Sequence, residues 1–147
     1  MGNKTFNLGH EVKLDLVNEQ SGDIVTMAGL TEFTRKPVTS NVDSSTITRG
    51  GLVTRRTVYK GWEGTFKIDR YDRNVDDLHQ LLEDNYYAQR PEIYFRIVET
   101  IRDPDTGGIQ QFIYDSVCVY MDDGGTFKTD EKVSQTMKWH AERRIQL

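Results

Sequence analysis

Apolar and polar residues alternate with a period of two along most of this chain, the signature of strands buried on one face. Val12, Leu14 and Leu16 alternate with Glu11, Lys13 and Asp15. The turn residues Glu19-Gln20-Ser21-Gly22 follow, then a second strand from Ile24 to Ala28, so the chain opens on a predicted hairpin. Residues 30–48 are extended in character, and Thr39 to Thr48 are almost wholly polar. Past the turn Arg49-Gly50-Gly51, residues 52–71 resume the alternation. Val58, Trp62, Phe66 and Ile68 share one parity, and Tyr59, Glu63, Thr65, Lys67 and Asp69 the other. Residues 92–101 carry Ile93, Phe95, Ile97 and Ile101 in one parity. The turn Asp103 to Gly108 leads into a partner strand over 109–121, and Asp122-Asp123-Gly124-Gly125 makes another turn. The last strand spans 131–146, with Val133, Met137, Trp139, Ala141 and Ile145 on one side.

One segment has helical spacing instead. Over residues 74–90, Val75, Leu78, Leu82 and Tyr86 form a stripe widened by Leu81. Asn74 suits the N-cap, Asp76 and Asp77 suit the positive end of the helix dipole, and Pro91 ends the segment. About seven strands and one helix predict an α+β, mainly β, antiparallel domain. The simplest arrangement is a small sandwich or barrel with the helix at one edge. No repeat or linker divides the 147 residues, which predicts a single domain over 1–147.

One length does not suit a closed globule. A domain of this size is about 40 Å across. Residues 52–71 in one straight strand would span roughly 65 Å. Gly61 and Gly64 would permit a bend; otherwise residues 39–60 leave the body as a projecting hairpin arm. The polar tip favours projection, and a projecting arm needs a partner to order it.

Charge sharpens that reading. The net charge is −4, which argues against wholesale nucleic-acid binding. Arg35, Lys36, Arg49, Arg55, Arg56 and Lys60 crowd residues 35–60 against Asp43 alone. Asp72, Asp76, Asp77, Glu83 and Asp84 crowd residues 72–84 against Arg73. A basic arm and an acidic helix on one chain can pair between identical copies, closing a ring or opening a stack. Alternatively they are two solvated faces, since exposed ion pairs contribute little.

Candidate chemistry changes little. His10, His79 and His140 lie far apart, and neither His-Glu-x-x-His nor paired-cysteine spacing occurs, so no metal or cofactor is expected. Asp103, Asp105 and Gly107 suit a calcium loop only faintly and a hairpin turn well. Asp122 and Asp123 read as a turn before they read as an acid–base pair. Arg49-Gly50-Gly51 is one copy of a unit that RNA-binding segments repeat. Trp62 and Trp139 read as core or interface anchors. The lone Cys118, flanked by Val117 and Val119, predicts a buried reduced thiol. Met1 to His10 has no apolar stretch, so no secretory signal is expected, and Phe6 breaks the myristoylation pattern after Gly2. No catalytic residue is assigned, and the chain is expected not to be an enzyme.

The whole pattern resembles the tail tube protein of contractile-tailed bacteriophages, and more distantly the tube protein of type VI secretion. The features that carry it are the opening hairpin, the polar extension at 38–60, and Lys60-Gly61-Trp62-Glu63-Gly64 leading into Thr65-Phe66-Lys67-Ile68. The helix at 74–90, the hairpin turning at Asp103 to Gly108 and the final long strand complete it. The resemblance implies a two-sheet β-barrel with a flanking helix. It implies hexameric rings whose inner strands join around a lumen, stacked into a tube inside a contractile sheath. The tube would be the conduit for DNA ejection in a virion assembled in the host bacterial cytoplasm. Expected partners are further copies of the chain, a sheath protein, a tape measure protein and a tail terminator, with no membrane. DNA would pass without specific binding, because a mixed or negative wall lets a polyanion slide. Glu63, Asp69 and Glu142 fit a lumen face, diluted by Lys67 and Lys138. Arg49, Arg55, Arg56 and Lys60 are the candidate contact residues of the arm. Asp76, Asp77, Glu83 and Asp84 are their candidate acidic partners. Two alternatives remain: a monomeric ligand-binding β-barrel, and the tube protein of a type VI-like secretion system.

Overall fold

The computed structural model describes residues 5–25, 27 and 29–147. Eight strands and one helix follow in chain order: β1 (Val12–Asn18), β2 (Ile24–Val25), β3 (Leu30–Ser45), β4 (Val53–Asp69), α1 (Asn74–Tyr87), β5 (Phe95–Arg102), β6 (Ile109–Asp123), β7 (Ser134–Ala141) and β8 (Arg143–Gln146). All pairings are antiparallel. The mainly-β class with a single α-helix therefore holds. The strands follow one hydrogen-bonded path, β2-β1-β5-β6-β7-β4-β3, with β8 added on β6.

The path is continuous because β6 serves two neighbourhoods. Its first half pairs with β5 and β8, and its second half pairs with β7. Between them Ser116 takes a left-handed φ of 52°, which turns the strand. The expected single strand over 131–146 breaks at the same place. Glu142 leaves the ladder, its N–H bonds the Asp115 carbonyl at 3.1 Å, and β8 turns onto the first half of β6.

The opening hairpin forms, but β2 is only two residues long, registered as Leu16↔Val25 and Val17↔Ile24. Its predicted continuation reaches Thr26 and Ala28, which lie outside the described residues. The turn closes through Gly22 N–H to the Asn18 carbonyl at 2.8 Å, while the Asn18 side chain accepts from Gln20 N–H at 2.9 Å.

The helix is shorter than predicted at its end. Arg73, not Asn74, holds the N-cap position, and the Asp72 carboxylate accepts the Asn74 N–H at 3.1 Å. At the other end the helix stops at Tyr87, three residues inside the predicted limit: Gln89 takes a left-handed φ of 56°, and Arg90 N–H bonds the Asn85 carbonyl at 3.0 Å. Val75 and Leu78 are buried on the sheet, and Leu82 packs at the margin of the core. Asp76 ties the first turn down: it accepts from buried Gln135 Nε2 at 2.7 Å and from Arg70 Nε at 3.0 Å. Leu78→Ala is expected to cost about 2–5 kcal/mol in chemical denaturation. An unchanged midpoint would show that the stripe carries no packing.

The core is aromatic. Phe66, Tyr114 and Trp139 are fully buried together with Leu16, Ile97, Val117 and Met137. Phe33 stacks on Trp139, with centroids 5.8 Å apart, and Tyr114 meets the same indole edge-on at 4.9 Å. Among the described residues the buried Trp139 indole N–H finds no acceptor, a cost of about 1–3 kcal/mol that the packing must offset.

Candidate functional site

Two surfaces stand out: a polar sheet face and an exposed hairpin. The sheet face arises from the registers Lys36↔Glu63, Thr34↔Thr65 and Glu32↔Lys67, continued by Glu63↔His140, Thr65↔Lys138 and Asp69↔Ser134. Side chains alternate across a strand, so these residues share one face and Phe66, Ile68, Met137 and Trp139 share the buried one. On the polar face the carboxylates of Glu32, Glu63, Asp69 and Asp122 interleave with the ammonium groups of Lys36, Lys67 and Lys138. Lys138 lies 3.6 Å from Asp122, and Glu63 lies 3.7 Å from His140 Nδ1. Asp69, at the end of the face, is held by Ser134 Oγ at 3.1 Å and Lys132 Nζ at 3.3 Å. Of the candidate lumen residues, Glu63 and Asp69 are brought together on this face. Glu142 is not among its registered pairs: it is exposed at the break between β7 and β8 and bears electrostatically on Cys118 and Tyr94.

Cys118 is a correction. Val117 and Val119 are buried, and alternation turns the thiol to the opposite face, where it is half-buried. Desolvation, then the nearby Glu92 carboxylate, push its pKa up to about 11. Since only the thiolate reacts, iodoacetamide at pH 8 is expected to modify Cys118 about a hundredfold more slowly than an unperturbed cysteine. Rapid alkylation of the folded protein would contradict that environment.

The hairpin is made by β3 and β4, which pair from Leu30↔Ile68 to Ser45↔Val53. β4 contacts β7 only from Trp62 onward, so residues 39–60 pair solely with one another. The departure point is a bulge. Thr39↔Tyr59 and Pro37↔Trp62 bracket one residue on β3 and two on β4, Lys60 and Gly61. Gly61 has φ 99°, and a Cβ there would lie 2.2 Å from the Ala141 carbonyl oxygen. The extra residue flips the faces. Tyr59, not Val58, continues the side on which Trp62 and Phe66 lie, which corrects the single parity expected over 52–71.

Alternation also separates the arm's cations. Arg55 sits beside Asp43 at 3.3 Å on one face of the ribbon, and Arg56 and Lys60 lie on the other. Arg56 and Lys60 make no ion pair among the described residues. Arg49 closes the tip through a hydrogen bond to Thr54 Oγ1. The tip itself is not wholly polar, as expected from its first half. Ile47 is 97% exposed, and Leu52 and Val53 are exposed beside it.

The candidate acidic patch is partly consumed within the subunit. Asp76 anchors the helix through Gln135 and Arg70, Asp77 pairs with Arg73 at 3.3 Å, and Glu83 meets His79 Nε2 at 3.2 Å. Asp84 accepts from Gln80 at 2.9 Å. All but the Asp76 contacts are exposed pairs along the helix, which water and a partner can replace at small cost.

A further cluster at the arm's root was not foreseen. Glu99 on β5 is 1% exposed and lies 2.9 Å from Arg35 Nη1, close enough for an ion pair but out of line for a hydrogen bond. Tyr114 accepts from Arg35, and the Arg144 guanidinium stacks over Trp62 at 4.1 Å and Phe112 at 4.2 Å. Desolvation raises the Glu99 pKa against the opposing pull of Arg35 and Arg144. A carboxyl with a raised folded value adds stability in acid and loses that contribution as pH climbs through the raised value. The cluster joins β3, just before the arm departs, to β5, β6 and β8. Its sequence signal is the acidic residue in the otherwise apolar parity Phe95, Ile97, Ile101.

The turn at Asp103 to Gly108 is a hairpin turn. Gly107 N–H bonds the Asp103 carbonyl at 2.9 Å, and the Asp103 carboxylate accepts from Asp105 N–H at 2.9 Å. Hydrogen bonds from Thr5 hold the Asp105 carboxyl below its ordinary pKa. Among the described residues, no three of His, Cys, Asp or Glu converge as a metal site. No helix among them is long and apolar enough to cross a membrane.

Solved structures share this fold over nearly the whole chain. A chain of the anti-feeding prophage cap, described as a tube terminating cap, superposes with a TM-score of 0.65 over 100% of this chain and 94% of its own, at 8% identity. The fold is tail-tube-like. A chain of the PVC sheath-tube complex, from an extracellular contractile injection system in the extended state, matches at TM-score 0.59 and 7% identity, covering 92% of this chain and 88% of its own. A chain from the tail of an empty GTA particle, refined with C6 symmetry, matches at TM-score 0.54 and 16% identity, covering 92% and 94%. No family model matches the chain, and no curated protein does. At these identities the shared property is the fold.

Proposed function

We propose that this chain is a structural subunit of the inner tube of a contractile tail, without catalytic activity. The observation that carries the reading is the β3–β4 hairpin: along the 16 residues of β3 the outer edge is unpaired among the described residues, and its aliphatic tip is exposed. A free edge of that length is a template for pairing, and closing strands around a ring removes it. Six copies would form each ring and rings would stack into a tube, a geometry supported by the fold shared with tube-bearing contractile systems. The polar face of β3, β4 and β7 suits the lumen wall. Its interleaved charges offer a polyanion no continuous basic track, so DNA would slide through rather than bind.

In this reading Arg49, Arg55, Arg56 and Lys60 contact a neighbouring copy, and Asp77, Glu83 and Asp84 can exchange their exposed partners for it. Sheath, tape measure and terminator proteins would complete the assembly in a virion built in the bacterial cytoplasm. A tube-terminating ring is the second reading, favoured by the full-length superposition on the anti-feeding prophage cap structure.

Electron microscopy with native mass spectrometry on the purified chain tests this. Hexameric rings that stack into tubes are expected. Rings that never stack would favour the terminator, and a monomer across a wide concentration range would overturn both.

A further inference from the structure

The exposed tip and a groove elsewhere on the subunit both present aliphatic side chains and carry opposite charges. Two strands of about eight residues carry the tip roughly 26 Å beyond the bulge at Gly61. There Ile47 stands 97% exposed beside Leu52, with Arg49 between them in sequence. On the body, a groove of about 390 Å³ lies between β2 and the first turns of α1. Phe95 and Leu78 form its floor, and the exposed Ile24 and Leu81 flank it. Asp23 and Asp77 stand among its lining residues.

We infer that the aliphatic tip of one copy, led by Ile47, seats in the groove between β2 and α1 of a second copy, with Arg49 meeting Asp23 and Asp77. This rests on the tube reading and names the site where the arm lands. Burying Ile47 against Leu78, Leu81 and Ile24 removes apolar surface from both copies. The acidic side chains select for the one cation at the tip. Asp77 can change partners cheaply, because its pair with Arg73 is solvent-exposed on both sides. A second hollow, near Leu82, Tyr86 and Ile93, sets Arg90 beside Glu92 and so offers Arg49 no net acidic charge.

Cross-linking of the full chain decides it. In a Cys118→Ala background, Ile47→Cys with Ile24→Cys, assembled and treated with a short bis-maleimide, is expected to give a ladder of covalent multimers. Each single-cysteine variant is expected to stop at dimer. Ile47→Cys with Tyr86→Cys is expected to give no ladder. Both Ile47 and Ile24 are exposed in the subunit, so these changes leave the core intact. Ile47→Asp is expected to raise the concentration for half-maximal assembly about ten-fold. Tubes that form with no ladder, a ladder from the Tyr86 pair alone, or assembly indifferent to Ile47→Asp would overturn the groove while leaving the tube reading standing. A wild-type chain that forms neither rings nor tubes would overturn both.

Discussion

Gly64→Ala is expected to destabilise the subunit by about 3 kcal/mol or more, beyond the usual range for one added methyl. For 147 residues that is a Tm drop of roughly 6–12 °C. Gly64 sits in β4 opposite Arg35 on one side and Trp139 on the other. By register its missing side chain would point into the core. Phe33 and Trp139, from the two strands flanking β4, stack with their planes 7° apart. A side chain at Gly64 would occupy the space beneath them. A Cβ built there lies 1.9 Å from the Thr34 carbonyl oxygen and 2.8 Å from the Trp139 indole nitrogen. The first neighbour is backbone, which cannot rotate away, so the β3–β4 ladder must shift. Thermal unfolding of the isolated subunit measures the effect. A Tm within a degree of the parent would mean that the rings do not pack over β4 as described.

The strand-and-turn order was legible because alternation is strong wherever one face meets the core. The polar face of β4 and β7 could be read directly from Glu63, Thr65, Lys67 and Asp69 against Phe66 and Ile68. What was hidden lies where the chain breaks its own period. A bulge adds one residue without a composition signal beyond a glycine, so Val58 fell into the parity of Trp62 although Gly61 reverses it. The split of the last strand at Glu142 is set by a carbonyl on β6, 27 positions away in the chain, not by any local breaker. A non-local cause also sets the strand path, because Ser116 turns β6 between its two sets of partners. At the candidate site, charge composition identified the basic arm and the acidic helix, but not which charges were already engaged. Asp76 reads like Asp77 in the sequence, yet Gln135 reaches it from β7 and makes it an anchor. Arg55 and Arg56 read as a pair, and strand geometry sets them on opposite faces. The aliphatic tip is hidden in the sequence because Ile47 and the Leu52-Val53 pair sit among threonines, arginines and glycines, with no periodicity to mark them.

Deleting the arm is expected to abolish assembly and leave the subunit folded. Residues 41–57 can be replaced by Asn-Gly, because Ser40 and Val58 are directly paired and a two-residue turn of that type closes such a pair. The removed segment makes its ladder bonds only with itself, and none of its residues belongs to the core cluster. The Arg35–Glu99 contact and the stack of Arg144 on Trp62 lie on the body side of the cut and should survive. A Tm within a few degrees of the parent, together with monomers or unstacked rings by electron microscopy, is the expected result. Charge reversal separates the arm's electrostatics from its shape. Arg56→Glu acts on a cation that makes no ion pair among the described residues, so any loss of tube length reports a contact between copies. Arg55→Glu also opposes Asp43 within the ribbon, and like charges side by side would loosen the arm itself. The Arg56 variant is therefore the cleaner probe. Tubes of normal length from Arg56→Glu would remove that side chain from the interface. Tubes of normal length from the arm deletion would remove the arm from assembly altogether, and would place the ring and stack contacts on the strand edges of the body.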